Sequence, residues 1–403
     1  MLTVASIPTE IWHSILSAAC VDGGFTGRSL ALTSRFFHAQ SLSPRFHSLA
    51  FHRLDRLEQF IDFLHHRGDW NPMVEHMFLS FSDEPIKVPA DFWKTYTALD
   101  RDARRGYDSN KIKQGELWKE RFTSAMTSLF ARVAPNLRTL VVAVHPSISP
   151  PFFSCPSFPC LEELCITGRY SAFFSDVLAD DPRHGRSPNS FTFARFPVLR
   201  CLHYINYQLS PIASDILVAA PSTLTHLRFS SAGSTEFDCM YEFTSDLCRS
   251  RRDDGQAGQQ PRLVDLQQLI VHGYKPTPVT SGTFMEELWD RRVNDLREHL
   301  RKCEDASGIR MLIVSRIWRK NPRWPDRLYN DWMDRVDGGV GCWVESEEEE
   351  AAMDIPEDNA AQDHWGILSL ADLPTHDALQ GEHCRQMCEC QTTDIGLIAL
   401  LGH

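Results

Sequence analysis

One short frame recurs through the middle of this chain, and it restricts the possible folds more than any other feature. Pro135-Asn136-Leu137-Arg138-Thr139-Leu140-Val141-Val142 is echoed by Pro159-Cys160-Leu161-Glu162-Glu163-Leu164-Cys165-Ile166. It returns at Pro197 to Tyr204 and at Pro221 to Phe229, with degenerate copies at Leu266 to Val271 and Ile309 to Val314. The first leucines, Leu137, Leu161, Leu199, Leu224 and Leu266, stand 24, 38, 25 and 42 residues apart. Each copy reads as a turn followed by a short strand. A strand this short with apolar residues at both leucines cannot bury them alone, so each unit must stack on the next. The frame therefore predicts one continuous core, lined by those five leucines. The strands starting at Leu140, Leu164, Leu202, Leu227 and Leu269 are expected to lie parallel and adjacent in that order.

Helical segments fill the intervals. Ile212 to Ala219 falls between two copies, and Met285, Trp289, Val293, Leu296 and Leu300 form one stripe before the last copy. The same strand–helix–strand order starts earlier. A strand is expected over Phe46 to Phe51, a helix over Leu54 to Leu64 with Leu54, Leu57, Ile61 and Leu64 on one face, and a strand over Val74 to Leu79. The pattern is similar to a leucine-rich-repeat solenoid, although its spacings are looser than the roughly 20–29 residues of regular repeats. A plain α/β domain with leucine-rich buried strands is the other reading. Residues 82–115, with proline, glycine and clustered charge, read as an insertion or surface loop, and helical order returns with Leu117, Trp118, Phe122, Met126, Leu129 and Val133. The stretch Trp324 to Val336 reads as a helix that caps the end of the arc, stopped by Gly338-Gly339.

The first 46 residues are organised differently. Ile7-Pro8-Thr9-Glu10-Ile11-Trp12-His13-Ser14-Ile15-Leu16 has proline and an acid in its first turn, both favourable at a helix start, and apolar residues every four positions. A turn at Val21-Asp22-Gly23-Gly24 follows, then a second helical stretch, Ser29 to Ala39, stopped before Pro44. Ile-Pro-x-Glu-Ile, a glycine turn, Leu-x-Leu-x-Ser-Arg-Phe-Phe and an aromatic at Phe46 together resemble the F-box, and most closely the F-box families of mushroom-forming fungi. That resemblance implies a Skp-family adaptor as partner, bound by Ile7, Pro8, Glu10, Ile11, Ile15, Leu32, Arg35 and Phe36, with Phe46 closing the module. Through the adaptor it implies a cullin–RING ubiquitin ligase, with an unknown protein target on the repeat region. Ile7 stands where Leu is usual, and Phe36 and Phe46 stand where Trp is often found.

The expected organisation is thus α/β (α+β in the looser sense): a helical F-box-like module over 1–46, a repeat-like recognition domain over 47–340, and an acidic tail over 341–403. Between Glu345 and Asp358 eight carboxylates occur without a lysine or arginine, and the low apolar content up to about residue 380 points to disorder. The formal charge of −12 falls to −4 without those eight, so no basic face offers itself to nucleic acid. No apolar run is long enough to span a bilayer, and the first residues lack the basic and apolar regions of a signal peptide. Twelve scattered cysteines then read as reduced thiols, and a cytoplasmic or nuclear location is expected.

The sequence contains no phosphate loop, no Gly-x-Gly-x-x-Gly after a strand, no Gly-x-Ser-x-Gly elbow and no His-Glu-x-x-His. His383-Cys384 with Cys388 and Cys390 has soft ligands, but the spacing is not that of a zinc knuckle. The expectation is a non-catalytic recognition subunit with no metal, no cofactor and no catalytic residues. The competing reading is a free-standing repeat scaffold without a ubiquitin link. It requires the N-terminal helices to be fully covered as a cap, whereas adaptor binding requires Ile11 and Ile15 to stay open.

Overall fold

The computed structural model describes residues 7–68, 70–81, 96, 99–144, 156–167, 193–205, 213, 216–217, 220–232, 236–252, 263–274, 278–316 and 324–344. The acidic run, the His383–Cys390 cluster, the apolar stretch at 395–401, most of 82–98 and most of the 212–219 segment lie outside the described residues.

Three short helices open the chain: α1 (Thr9–Ala19), α2 (Phe25–Thr33) and α3 (Arg35–Gln40). The sequence predicted a single second helix over Ser29 to Ala39. Ser34 divides it, because its backbone is extended (φ −162°, ψ 161°) and its hydroxyl accepts from the Phe37 N–H to cap α3. A 3-10 turn at Pro44–Phe46 leads into β1 (Ser48–Phe51), α4 (Leu54–His66) and β2 (His76–Phe81). Next come α5 (Arg101–Val133), β3 (Thr139–Val144), β4 (Glu163–Thr167), β5 (Cys201–Ile205), β6 (His226–Ala232) and α6 (Phe237–Arg252). The last elements are β7 (Gln268–Tyr274), α7 (Pro278–Ser307), β8 (Arg310–Arg316) and α8 (Trp324–Val336). Helix α5 begins inside the segment read as a loop. The Asp100 side chain accepts from the Ala103 N–H and starts the helix locally, while the stripe of Trp118, Phe122, Met126, Leu129 and Val133 buries its second half.

The eight strands form one open sheet in the order β1-β2-β3-β4-β5-β6-β7-β8, every pair parallel. The register puts Leu49, Met77, Leu140, Leu164, Leu202, Leu227, Leu269 and Met311 in one row across it. Leu137, Leu161, Leu199, Leu224 and Leu266 join that row in the same buried core, with the helices α4 to α7 contributing their apolar stripes. Each such side chain stabilises the fold by roughly 1.5–3 kcal/mol, and none can be buried without its neighbours in the row.

The frame has a backbone role as well. The N–H groups of Glu75 and His76 both donate to the His47 carbonyl, and those of Arg138 and Thr139 both donate to the Glu75 carbonyl. The same doubled bond recurs at Arg138, Glu162, Arg200 and Thr225 as acceptors, so one carbonyl per unit receives two amides from the next. The turn before each strand is thereby locked to its predecessor. Two further copies of the frame become visible in this light: Pro44-Arg45-Phe46-His47-Ser48-Leu49 and Pro72-Met73-Val74-Glu75-His76-Met77. Phe46 and Val74 occupy the first anchor position and lie in the main core. Phe, Val and Met stand where Leu was sought, which hid both copies.

Candidate interaction surface and the covered inner face

Pro8 occupies the N-cap of α1 and its carbonyl accepts from the Ile11 and Trp12 N–H groups. Leu16 and Cys20 turn inward and are buried. Trp12 meets Phe36 and Phe37 edge-on at 5.8 and 5.3 Å between ring centres, which joins α1 to α3. Burial, with Asp22 adding to it, pushes the Cys20 thiol up to about 11, so it stays protonated.

The module is bolted to the first strand. The Gly23 N–H donates to the Ser48 hydroxyl, which in turn donates to the Val21 carbonyl. Gly24 sits at φ +99°, in the left-handed region that a side chain disfavours. The Asp22 carboxylate accepts from the Thr26 N–H and holds the start of α2. Gly27 touches the turn before β1 so closely that an added Cβ would lie 2.6 Å from the Arg45 Cα. Phe46 packs against Phe60, Phe63 and Trp70, in the sheet's core and away from the outer helical surface.

The opposite side of the module is open. Ile11 is 51 % exposed and Ile15, one turn further along α1, is 47 % exposed. On α2, Leu32 is 55 % and Phe25 70 % exposed. Pro8, Glu10 and Arg35 are exposed, while Ile7 and Phe36 are half-buried. Of the eight residues that the F-box resemblance assigns, six are therefore exposed, and Phe36 is shared with the Trp12 cluster. Phe25 was not singled out in the sequence, because the glycine turn before it reads as connector.

The inner face of the sheet, the one facing away from α4 to α7, is covered. The sequence expected α8 as a cap at the end of the arc. Instead Leu328 and Trp332 of α8 pack on Phe78, Val141, Ala143, Cys165 and Ile205, across β2 to β5. Trp332 Nε1 donates to Thr139 Oγ1 at 3.2 Å, and Arg335 Nε donates to Glu163 Oε2 at 2.8 Å. The other Glu163 oxygen accepts from Trp343 Nε1 at 2.9 Å, and Gln268 donates to the Val344 carbonyl. Cys342, Trp343 and Val344 then close over Ile270 and Val314. The physical reason lies in the strands themselves. Leu140-Val141-Val142-Ala143-Val144 is apolar on both faces, and a parallel sheet of such strands must be covered on both.

A buried polar network lies beneath this cover. Arg228 Nε donates to Ser230 Oγ at 3.3 Å, so the Ser230 hydroxyl is free to donate to His203 Nε2 at 2.8 Å. The other ring nitrogen of His203 lies 3.5 Å from both Cys165 Sγ and Cys342 Sγ. Burial, then the Arg228 charge, pulls the His203 pKa well below its usual value, and burial pushes both thiols well above theirs. A cysteine beside a histidine can be a nucleophile, but these thiols are protonated and closed off, so the arrangement is structural.

A second cluster lies where β1 and β2 begin. His47, Glu75 and His76 each place one donor atom within 4.8 Å of the others, all three half-buried. His47 Nδ1 is 3.7 Å from Glu75 Oε1, and Arg138 Nε is 3.3 Å from Glu75 Oε2. His76 Nδ1 lies 3.0 Å from Thr139 Oγ1. Burial lowers the His47 pKa against the opposing pull of Glu75, with Arg138 and His13 adding to the lowering. Burial, then the charges of His47, Arg138 and Arg335, holds His76 down to about 4. The sequence assigned no role to these residues.

No family model matches the chain, and neither the curated proteins nor the solved structures yield a match. Among the described residues no helix is long and apolar enough to cross a membrane.

Proposed function

We propose that this protein is a non-catalytic substrate-recognition subunit of a Skp–cullin–F-box type ubiquitin ligase, acting in the cytoplasm or nucleus. The observation that supports it is the state of α1. Its inner side is fixed by Leu16 and Trp12, while Ile11 and Ile15 remain about half exposed. A cap for a free-standing scaffold would have this stripe covered. The F-box-like letters of the same helix support a Skp-family adaptor as the occupant.

In this reading the sheet and its outer helices form an irregular leucine-rich-repeat-like body that holds a target protein. The inner face between β2 and β5 is already occupied by α8, so the target is held on other surfaces. The mechanism is proximity. A target lysine tethered near a charged ubiquitin-conjugating enzyme experiences a raised effective concentration of the thioester, and the chemistry belongs to that enzyme.

The experiment is co-expression with a Skp-family adaptor followed by affinity purification. Ile11→Glu with Ile15→Glu is expected to remove the adaptor from the eluate while the melting temperature of the chain itself stays unchanged. Undiminished recovery of the adaptor with the double variant refutes the assignment.

A further inference from the structure

We propose that His47, Glu75 and His76 form a binding site for a divalent transition-metal ion of the zinc class. The site is independent of the adaptor reading.

Three observations carry it. First, the donor set is two imidazoles and one carboxylate, the set that zinc takes when three protein ligands leave one coordination position open. The donor atoms already lie within 4.8 Å of one another, and His47 Nδ1 stands 3.7 Å from Glu75 Oε1. Zinc ligands at about 2.0–2.2 Å from the ion stand closer together than the 4.8 Å bound, so the three side chains draw in as an ion binds.

Second, the ligands are oriented by neighbours. Thr139 Oγ1 sits 3.0 Å from His76 Nδ1 and is itself fixed by the indole N–H of Trp332. Arg138 holds Glu75 Oε2, leaving Oε1 directed at His47. Partners of this kind fix ring and carboxylate orientation around metal ligands. Arg138 is also a nearby cation, and its side chain is 57 % exposed, so it can turn toward solvent as an ion enters.

Third, the placement is set by the backbone. The His47 carbonyl takes the N–H groups of both Glu75 and His76, so the three residues are adjacent units of the locked turn row. His76 shares the strand face of Phe78, away from the leucine core, and all three residues are half-buried. A bound ion would pin β1, an edge strand of the sheet, to β2.

The test uses the full chain carrying His383→Ala, Cys384→Ser, Cys388→Ser and Cys390→Ser, so that the tail contributes no soft ligands. After chelator treatment it is titrated with cobalt(II), and visible d–d absorption is followed. One equivalent should bind without the near-ultraviolet charge-transfer band of a thiolate ligand, and zinc should displace it. Thr139→Val should weaken binding about tenfold, and His47→Ala with His76→Ala should abolish it. If the double variant does not fold, Glu75→Gln, which removes the charge at constant volume, decides by the same loss of binding. Absence of stoichiometric uptake, or uptake that the ligand variants leave unchanged, overturns the site.

Discussion

The guanidinium of Arg228 on β6 donates to the backbone carbonyl of Cys342, across the inner face of the sheet. The same group reaches Ser230 Oγ and lies 3.4 Å from His272 Nδ1, and the residue is only 1 % exposed. A buried charge persists in a protein when hydrogen bonds replace its water. The Cys342 carbonyl is one of those replacements, so Arg228 helps determine where residues 340–344 cross the sheet.

Arg228→Ala should therefore act on both partners. It leaves a buried carbonyl without its donor and empties a large volume, at a cost of about 3 kcal/mol. Urea denaturation measures the loss, and hydrogen exchange at Trp343 and Val344 should rise. A midpoint close to that of the parent would show that the segment is held by Glu163 and Gln268 instead.

Gly27 and Gly106 should respond to alanine in opposite directions. At Gly27 the new methyl meets Arg45 Cβ at 2.5 Å and Cα at 2.6 Å, so α2 must move off the turn, costing about 1–3 kcal/mol. Gly106 lies inside α5 with nothing within 4 Å, and alanine there should add up to about 1 kcal/mol through helix propensity. Thermal melts of the two variants should bracket the parent.

Truncation of Phe46 separates the core from the outer helical surface. Phe46→Ala removes an aromatic ring from contact with Phe60, Phe63 and Trp70, and should destabilise the chain by about 3–5 kcal/mol. Ile11→Ala, at an exposed position, should stay within about 0.5 kcal/mol of the parent. Equal losses at the two sites would mean that Ile11 is covered in solution.

Stability should fall on acidification. Unfolded, His203 takes a proton around its usual pKa of 6.5, while in the fold burial and Arg228 keep it neutral to lower pH. The unfolded chain thus binds the proton first, and stability drops as pH falls below about 6.5, by about 1.4 kcal/mol per pH unit for one such group until the folded-state value is reached. His47, His76 and His226 are displaced in the same direction. Comparing urea midpoints at about pH 7.5 and about pH 5.5 for the parent and His203→Gln should show a shallower dependence in the variant. An unaltered dependence would show that His203 titrates alike in both states.

The spacing of apolar anchors was enough to place the strands in sequence order, because a two-leucine turn has only one way to bury itself, against the next copy. That argument needs no distant residue, and it reached the rows through Leu140, Leu164, Leu202, Leu227 and Leu269. It missed the copies at Phe46 and Val74 only because other apolar side chains fill the same volume. The break at Ser34 and the close approach at Gly27 were also written locally, in a capping serine and a residue without a Cβ. The destination of α8 was not. Its stripe of Leu328 and Trp332 states that some surface must be covered, and the doubly apolar strands state that some surface is bare. Only the tertiary structure brings the two together and selects Glu163 as the partner of both Arg335 and Trp343. The same holds for His47 with Glu75 and His76, whose neighbourhood is created by the β1–β2 register and by no pattern along the chain. Local geometry can be read from neighbours in sequence; a polar contact between distant segments exists only once the sheet has set their separation.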